Sequence, residues 1–137
     1  MNSKHKGEGT ELMVQARLFL AGKVVLKPYG DNQRYDLVIE EEGVFKKVQC
    51  KTGRVKDGVI LFEANSCSRY CKQQKEETGK TYDIRNYKED AELFAVYCPE
   101  LDKAYLVPTA LCGGSLRLEP TKNGQTKDIV WAKDYEI

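Results

Sequence analysis

Residues 34–53, RYDLVIEEEGVFKKVQCKTG, place the strongest constraint on what this chain can fold into. Two runs of strand-forming residues flank a Glu-Glu-Gly turn, which predicts a β-hairpin. Strand side chains alternate between two faces, so Gln49 and Lys51 share one face and Cys50 takes the other. Asp36 belongs to the partner strand and can lie beside that pair. One hairpin thus gathers an acid, an amide and an ammonium at one edge of a sheet.

The rest of the chain supplies partners for that hairpin. Residues 8–21, EGTELMVQARLFLA, predict a helix closed by Gly22. Its expected apolar face is Leu12, Ala16 and Phe19, widened by Met13, Leu18 and Leu20. Glu11 and Gln15 lie four apart, on a narrow polar edge. KVVLKP predicts a short strand that stops at Pro28, and GVILFEA predicts another. Residues 65–92 are polar and mixed in charge, and are expected to form a partly helical connection. LFAVYCP and AYLVP predict a second hairpin. One more strand is expected at 116–118, then a turn at Asn123-Gly124 and an anchor at Trp131. A chain of 137 residues suits a single domain. One α/β domain follows, with the first helix packed on a central mixed sheet.

Composition narrows the setting. Hydrophobic residues are 41% and charged residues 31%, too apolar a mixture for intrinsic disorder. No run approaches the roughly 18 apolar residues of a membrane span, and the first residues lack a signal-peptide core. A cytoplasmic protein with no membrane partner is the expectation. Five cysteines, an odd number, fit reduced thiols in such a compartment. Cys67 and Cys71 are the two close in sequence, and His5 is the lone histidine, so the pattern of a structural zinc site is lacking. The same scarcity argues against histidine acid/base chemistry and against an activated catalytic thiol. A net charge of +1 and a pI near 7.6 exclude a uniformly basic nucleic-acid binder, but not a chain with a locally basic face.

Glu11, Asp36, Gln49 and Lys51 together suit metal-assisted phosphodiester hydrolysis. Mg²⁺ prefers hard oxygen ligands and is usually held by one or two carboxylates plus substrate phosphate. A glutamine oxygen can replace one carboxylate, and Lys51 can orient water or offset charge in the transition state. Taken singly, these residues have ordinary explanations. A helix N-terminus favours an acid, and polar alternation often marks a solvated strand face.

The set Glu11…Asp36…Gln49-Cys50-Lys51 resembles the PD-(D/E)xK nuclease superfamily. More narrowly, it is similar to the group I intron-associated homing endonucleases of cyanobacterial type, which carry Gln-x-Lys. The resemblance extends through GDNQRYDLVI, KKVQCKTGR, ELFAVYCPELDKAYLVP, SLRLEP and WAKDYE, from about residue 6 to 137. Tyr35 stands where the nominal motif has proline. The resemblance implies a restriction-endonuclease-like core, a central mixed β-sheet flanked by helices. It also implies Mg²⁺ as cofactor, with Glu11, Asp36 and Gln49 as ligands, Lys51 as the catalytic lysine, and double-stranded DNA as substrate. Two other readings share that core. One is a Holliday junction resolvase, which typically has an acid where Gln49 stands; the other is an inert DNA-binding module.

Lys46, Lys47, Lys51, Arg54 and Lys56 place five cations in a stretch without acids, a candidate phosphate-binding surface. A second segment carries Arg69, Lys72, Lys75, Lys80, Arg85 and Lys88 among tyrosines, but its acids fit a solubilising surface equally well. Gln33 and Arg34 precede Asp36 and are candidates for contact near the cut. Asn65, Ser66 and Arg69 are candidates for base edges, since Asn and Arg match adenine and guanine. One active site cuts one strand, so a double-strand break calls for a homodimer or homotetramer.

Overall fold

In the computed structural model, which describes residues 2–30, 33–66, 85–86, 90–124 and 127–137, the chain opens with helix α1 (Ser3–Leu20). The helix begins five residues before the expected start. Asn2 caps it, its side chain accepting the His5 amide at 2.8 Å. Gly7 and Gly9 are carried inside, at roughly 1 kcal/mol each relative to alanine. At the other end the Gly22 amide donates to Phe19 and the Lys23 amide to Leu18, with Gly22 at φ +85°. This paired closure needs a left-handed residue, so the glycine stop holds.

The buried face of α1 differs from the expected one. Thr10, Val14 and Leu18 point inward, whereas Leu12, Phe19 and Leu20 are 65%, 72% and 81% exposed. The apolar residues nearly encircle the helix, so periodicity could not select a face. Val14 and Leu18 pack on Leu37, Ile39, Val48 and Ala95. Thr10 satisfies its hydroxyl on Thr52 at 2.6 Å. Glu11 stands at i−3 and i−7 from Val14 and Leu18, so the face that packs also turns Glu11 toward the sheet.

The central sheet has five strands in the order β1 (Val24–Leu26), β2 (Leu37–Glu41), β3 (Val44–Thr52), β8 (Leu93–Cys98), β9 (Lys103–Pro108). Glu42 and Gly43, at φ +52° and +81°, close the β2–β3 hairpin in a two-residue turn matched to strand twist. β3 and β8 run parallel and the other neighbours antiparallel, so the sheet is mixed, as expected. A parallel neighbour needs a long crossover. That connection carries β4 (Arg54–Lys56), β5 (Val59–Leu61), β6 (Asn65–Ser66) and β7 (Arg85–Asn86).

β4 was hidden in the sequence because its two cations read as a basic cluster. It pairs with β5 around Asp57-Gly58, and β5 pairs with β10 (Ser115–Arg117). This small sheet covers the face opposite α1. There Ile60, Phe62 and Leu116 meet Phe94, Val96, Tyr105 and Val107. The C-terminal residues line the outer edge of β9: Leu106 donates to Tyr135, and Ile137 donates to Ala104. They follow a 3₁₀ turn at Ala132–Asp134, and they satisfy an edge that would otherwise be open. Trp131 is half-buried beside Arg117. The expected helical character of 65–92 falls largely outside the described residues, as do Cys67, Cys71 and Arg69.

Candidate active site

Asp36 sits just before β2, one step beyond the Leu37–Val48 pair and therefore across from Gln49. Its amide donates to the Val48 carbonyl at 2.8 Å, and its Oδ2 accepts the Cys50 amide at 2.8 Å. Main chain and side chain are thus both pinned to β3. Burial raises the Asp36 carboxyl above the usual aspartate range, and the nearby Glu11 charge raises it further. The Cys50 amide, Lys51 and Lys27 offset part of that rise.

Glu11 reaches the same place from α1, with a side chain 20% exposed. Its Oε1 lies 3.0 Å from Nζ of Lys27, the residue following β1. A cavity of about 220 Å³ opens here, lined by Glu8, Glu11, Lys27, Gln33, Tyr35 and Asp36 among others. Cys50 shares the helix-facing side of β3 with Val48. Burial pushes its thiol well up, and Asp36 and Glu11 push it further, so it stays protonated and is no nucleophile.

Gln49 and Lys51 leave β3 on the opposite face, in register with Phe94 and Val96 of β8. Both are half-buried. Lys51 is close enough for its charge to lower the Asp36 carboxyl. Asp36 therefore lies within reach of the Glu11 and Lys51 charges and across from Gln49 in the strand register. Glu11 approaches from the helix side, and the Gln-x-Lys pair approaches from the other.

The donor set suits a hard divalent cation. No group of three or more His, Cys, Asp or Glu able to hold a metal occurs among the described residues. Glu11, Asp36 and the Gln49 amide are oxygen donors, the kind Mg²⁺ takes together with water and phosphate. The raised Asp36 carboxyl marks a half-buried place where two acids repel, and a cation relieves that repulsion.

The candidate DNA contacts scatter more widely. Gln33 is exposed at the cavity. Arg34 joins Asp90 at 2.8 Å. Lys46 lies 3.8 Å from Glu41 near the hairpin tip, away from Asp36. The acidic tip is itself not wholly solvated, since Glu41 also pairs with Lys23 at 2.5 Å. The Lys47 amide donates to Glu92 at 2.6 Å. Arg54 and Lys56 are exposed on β4, on either side of half-buried Val55. Asn65 is exposed opposite Asn86, and Ser66 pairs with Arg85. Lys27 is the site residue that sequence reasoning missed. Its partner Glu11 is distant in the chain, and no spacing rule connects them.

A family model described as PD-(D/E)XK endonuclease matches residues 1–137. Among solved structures, the bacterial homing endonuclease I-Ssp6803I is similar, with 26% identity and a TM-score of 0.69. That match covers 99% of this chain and 89% of the other. The likeness extends the α/β description to a restriction-endonuclease-like fold. No curated protein matches.

Proposed function

This chain belongs to the PD-(D/E)XK endonuclease family, and from that premise we propose that it is a site-specific, Mg²⁺-dependent DNA endonuclease of the intron-homing type. The observation that carries the reading is the placement of Asp36. Its half-buried carboxylate is fixed to the amide between Gln49 and Lys51 and stands beside Glu11 at the mouth of a cavity.

In this reading Glu11, Asp36 and Gln49 hold the metal, which when bound supplies Lewis acidity and an activated water. The Cys50 amide keeps the Asp36 carboxylate aimed and offsets part of the rise that burial causes. Lys51 carries an ammonium on the far side of Asp36. There it donates hydrogen bonds to the attacking water or to a phosphate oxygen as negative charge builds. Gln33 and Arg34 lie on the segment leading into Asp36 and meet the backbone next to the cut. Arg54, Lys56 and Lys47 add cations for phosphates further along, and Asn65, Ser66 and Arg69 are the candidates for base edges. Each phosphate contact makes binding salt-dependent through counterion release. A single site cleaves one strand, so the working unit is a homodimer or homotetramer on double-stranded DNA. No helix among the described residues is long and apolar enough to cross a membrane.

A plasmid library with random inserts tests this, with the cut ends sequenced with and without Mg²⁺. Cleavage at a defined sequence, dependent on Mg²⁺ and lost in Lys51→Ala and Asp36→Ala, is the expected result. The expected loss is at least 10²-fold, the lower end for a positioned proton-transfer or charge-stabilising group. Tight binding without cutting in any divalent metal would indicate an inert module. Preference for four-way junctions would indicate a resolvase.

A further inference from the structure

Lys27 places a cation where the two acids meet. Its Nζ lies 3.0 Å from Oε1 of Glu11, and its charge also acts on Asp36 and Cys50. No position of the Glu-Asp-Gln-x-Lys pattern corresponds to it. The lysine comes from the segment after β1, and both carboxylates come from other elements. The two ends of the ion pair are unequal: the Lys27 side chain is 60% exposed and Glu11 is 20% exposed. Glu11 is therefore held in place by the fold, whereas Lys27 is anchored only at its base, next to Pro28. Its four-carbon stem is free to pivot toward solvent.

We propose that Lys27 is a resident counter-ion of the acid pair. It occupies Glu11 in the metal-free protein and swings out when a divalent cation takes both carboxylates. This inference rests on the reading that Glu11 and Asp36 hold the metal. Two half-buried carboxylates with no cation between them repel, and that repulsion works against the packing of α1 on the β2–β3 hairpin. Lys27 removes it for the free protein. The same contact competes with metal, because the oxygen that Lys27 holds is a ligand oxygen. Lys27 therefore lowers metal affinity and keeps the site assembled while it is empty.

Mn²⁺ binding to the full chain without DNA, read from the paramagnetic resonance of free Mn²⁺, tests the idea apart from activity. Lys27→Met should bind Mn²⁺ roughly fivefold more tightly than wild type, the range of an exposed ion pair. Lys27→Gln should do the same, and Lys27→Arg, which keeps the charge, should bind like wild type. A merely structural lysine would give the opposite sign, since a loosened site binds metal less well. Equal or weaker binding in Lys27→Met and Lys27→Gln, with binding lost in Asp36→Asn, overturns the counter-ion role and leaves the metal site standing. Wild-type binding in Asp36→Asn overturns the metal-site reading itself, and this inference with it.

Discussion

Asp36 accepts, at 2.8 Å, the amide of Cys50, the residue that stands between Gln49 and Lys51. This bond ties the acid before β2 to the middle of the Gln-x-Lys sequence, and the Asp36 amide on Val48 ties it a second time. The hairpin register thus does more than pair strands. It sets the distance between the acid and the lysine.

The raised Asp36 carboxyl has a consequence for stability. Its folded pKa lies above its unfolded value of about 3.9. The stability it contributes is complete below that value and is lost as pH rises through the folded pKa. Asp36→Asn keeps an acceptor for the Cys50 amide but has no such loss. Metal-free thermal melts of wild type and Asp36→Asn should nearly coincide near pH 4, with the variant pulling ahead toward neutrality. A wild type that melts higher at pH 7 would contradict the burial argument.

The observed helix face makes a ranking. Leu18→Ala removes a fully buried side chain and should destabilise by about 2–5 kcal/mol. Leu12→Ala and Phe19→Ala alter exposed positions and should change stability by roughly 0.5 kcal/mol or less. Urea unfolding of the three variants measures this. The reverse order would restore the face that periodicity first suggested.

Gly53 follows β3 directly, and its amide donates to Tyr97 at 2.8 Å. A Cβ there would stand 2.6 Å from Ile60 Cγ2 and 3.0 Å from Val96 Cγ1. Both side chains are fully buried and belong to the core between the two sheets. Gly53→Ala should therefore destabilise by about 1–3 kcal/mol, as overpacking does. Unfolding at the wild-type urea midpoint would show that the core gives way freely.

Assembly follows from stoichiometry. Light scattering should give a multiple of the 15.6 kDa chain mass, with DNA if not without it. A mass that stays at one chain at every concentration, free and DNA-bound, is incompatible with the two-copy reading.

The hairpin part of the candidate site was legible in the sequence because its constraints are local. A two-residue turn sets the register of a hairpin, and strand alternation sends Gln49 and Lys51 to one side. The five strands of the mixed sheet follow from similar short-range rules, whereas β4 of the small sheet does not, because its cations masked its pairing. What the sequence by itself determined was therefore the hairpin, its Gln-x-Lys sequence and the acids on offer. Tertiary structure alone decided which face of α1 packs, and with it that Glu11 turns toward Asp36. It alone brought Lys27 to Glu11, held Lys46 at the far tip beside Glu41, and raised the Asp36 carboxyl. The physical reason is range. Turn and strand geometry are settled within a few residues, whereas helix docking, ion pairing and burial depend on the summed packing of segments far apart in the chain.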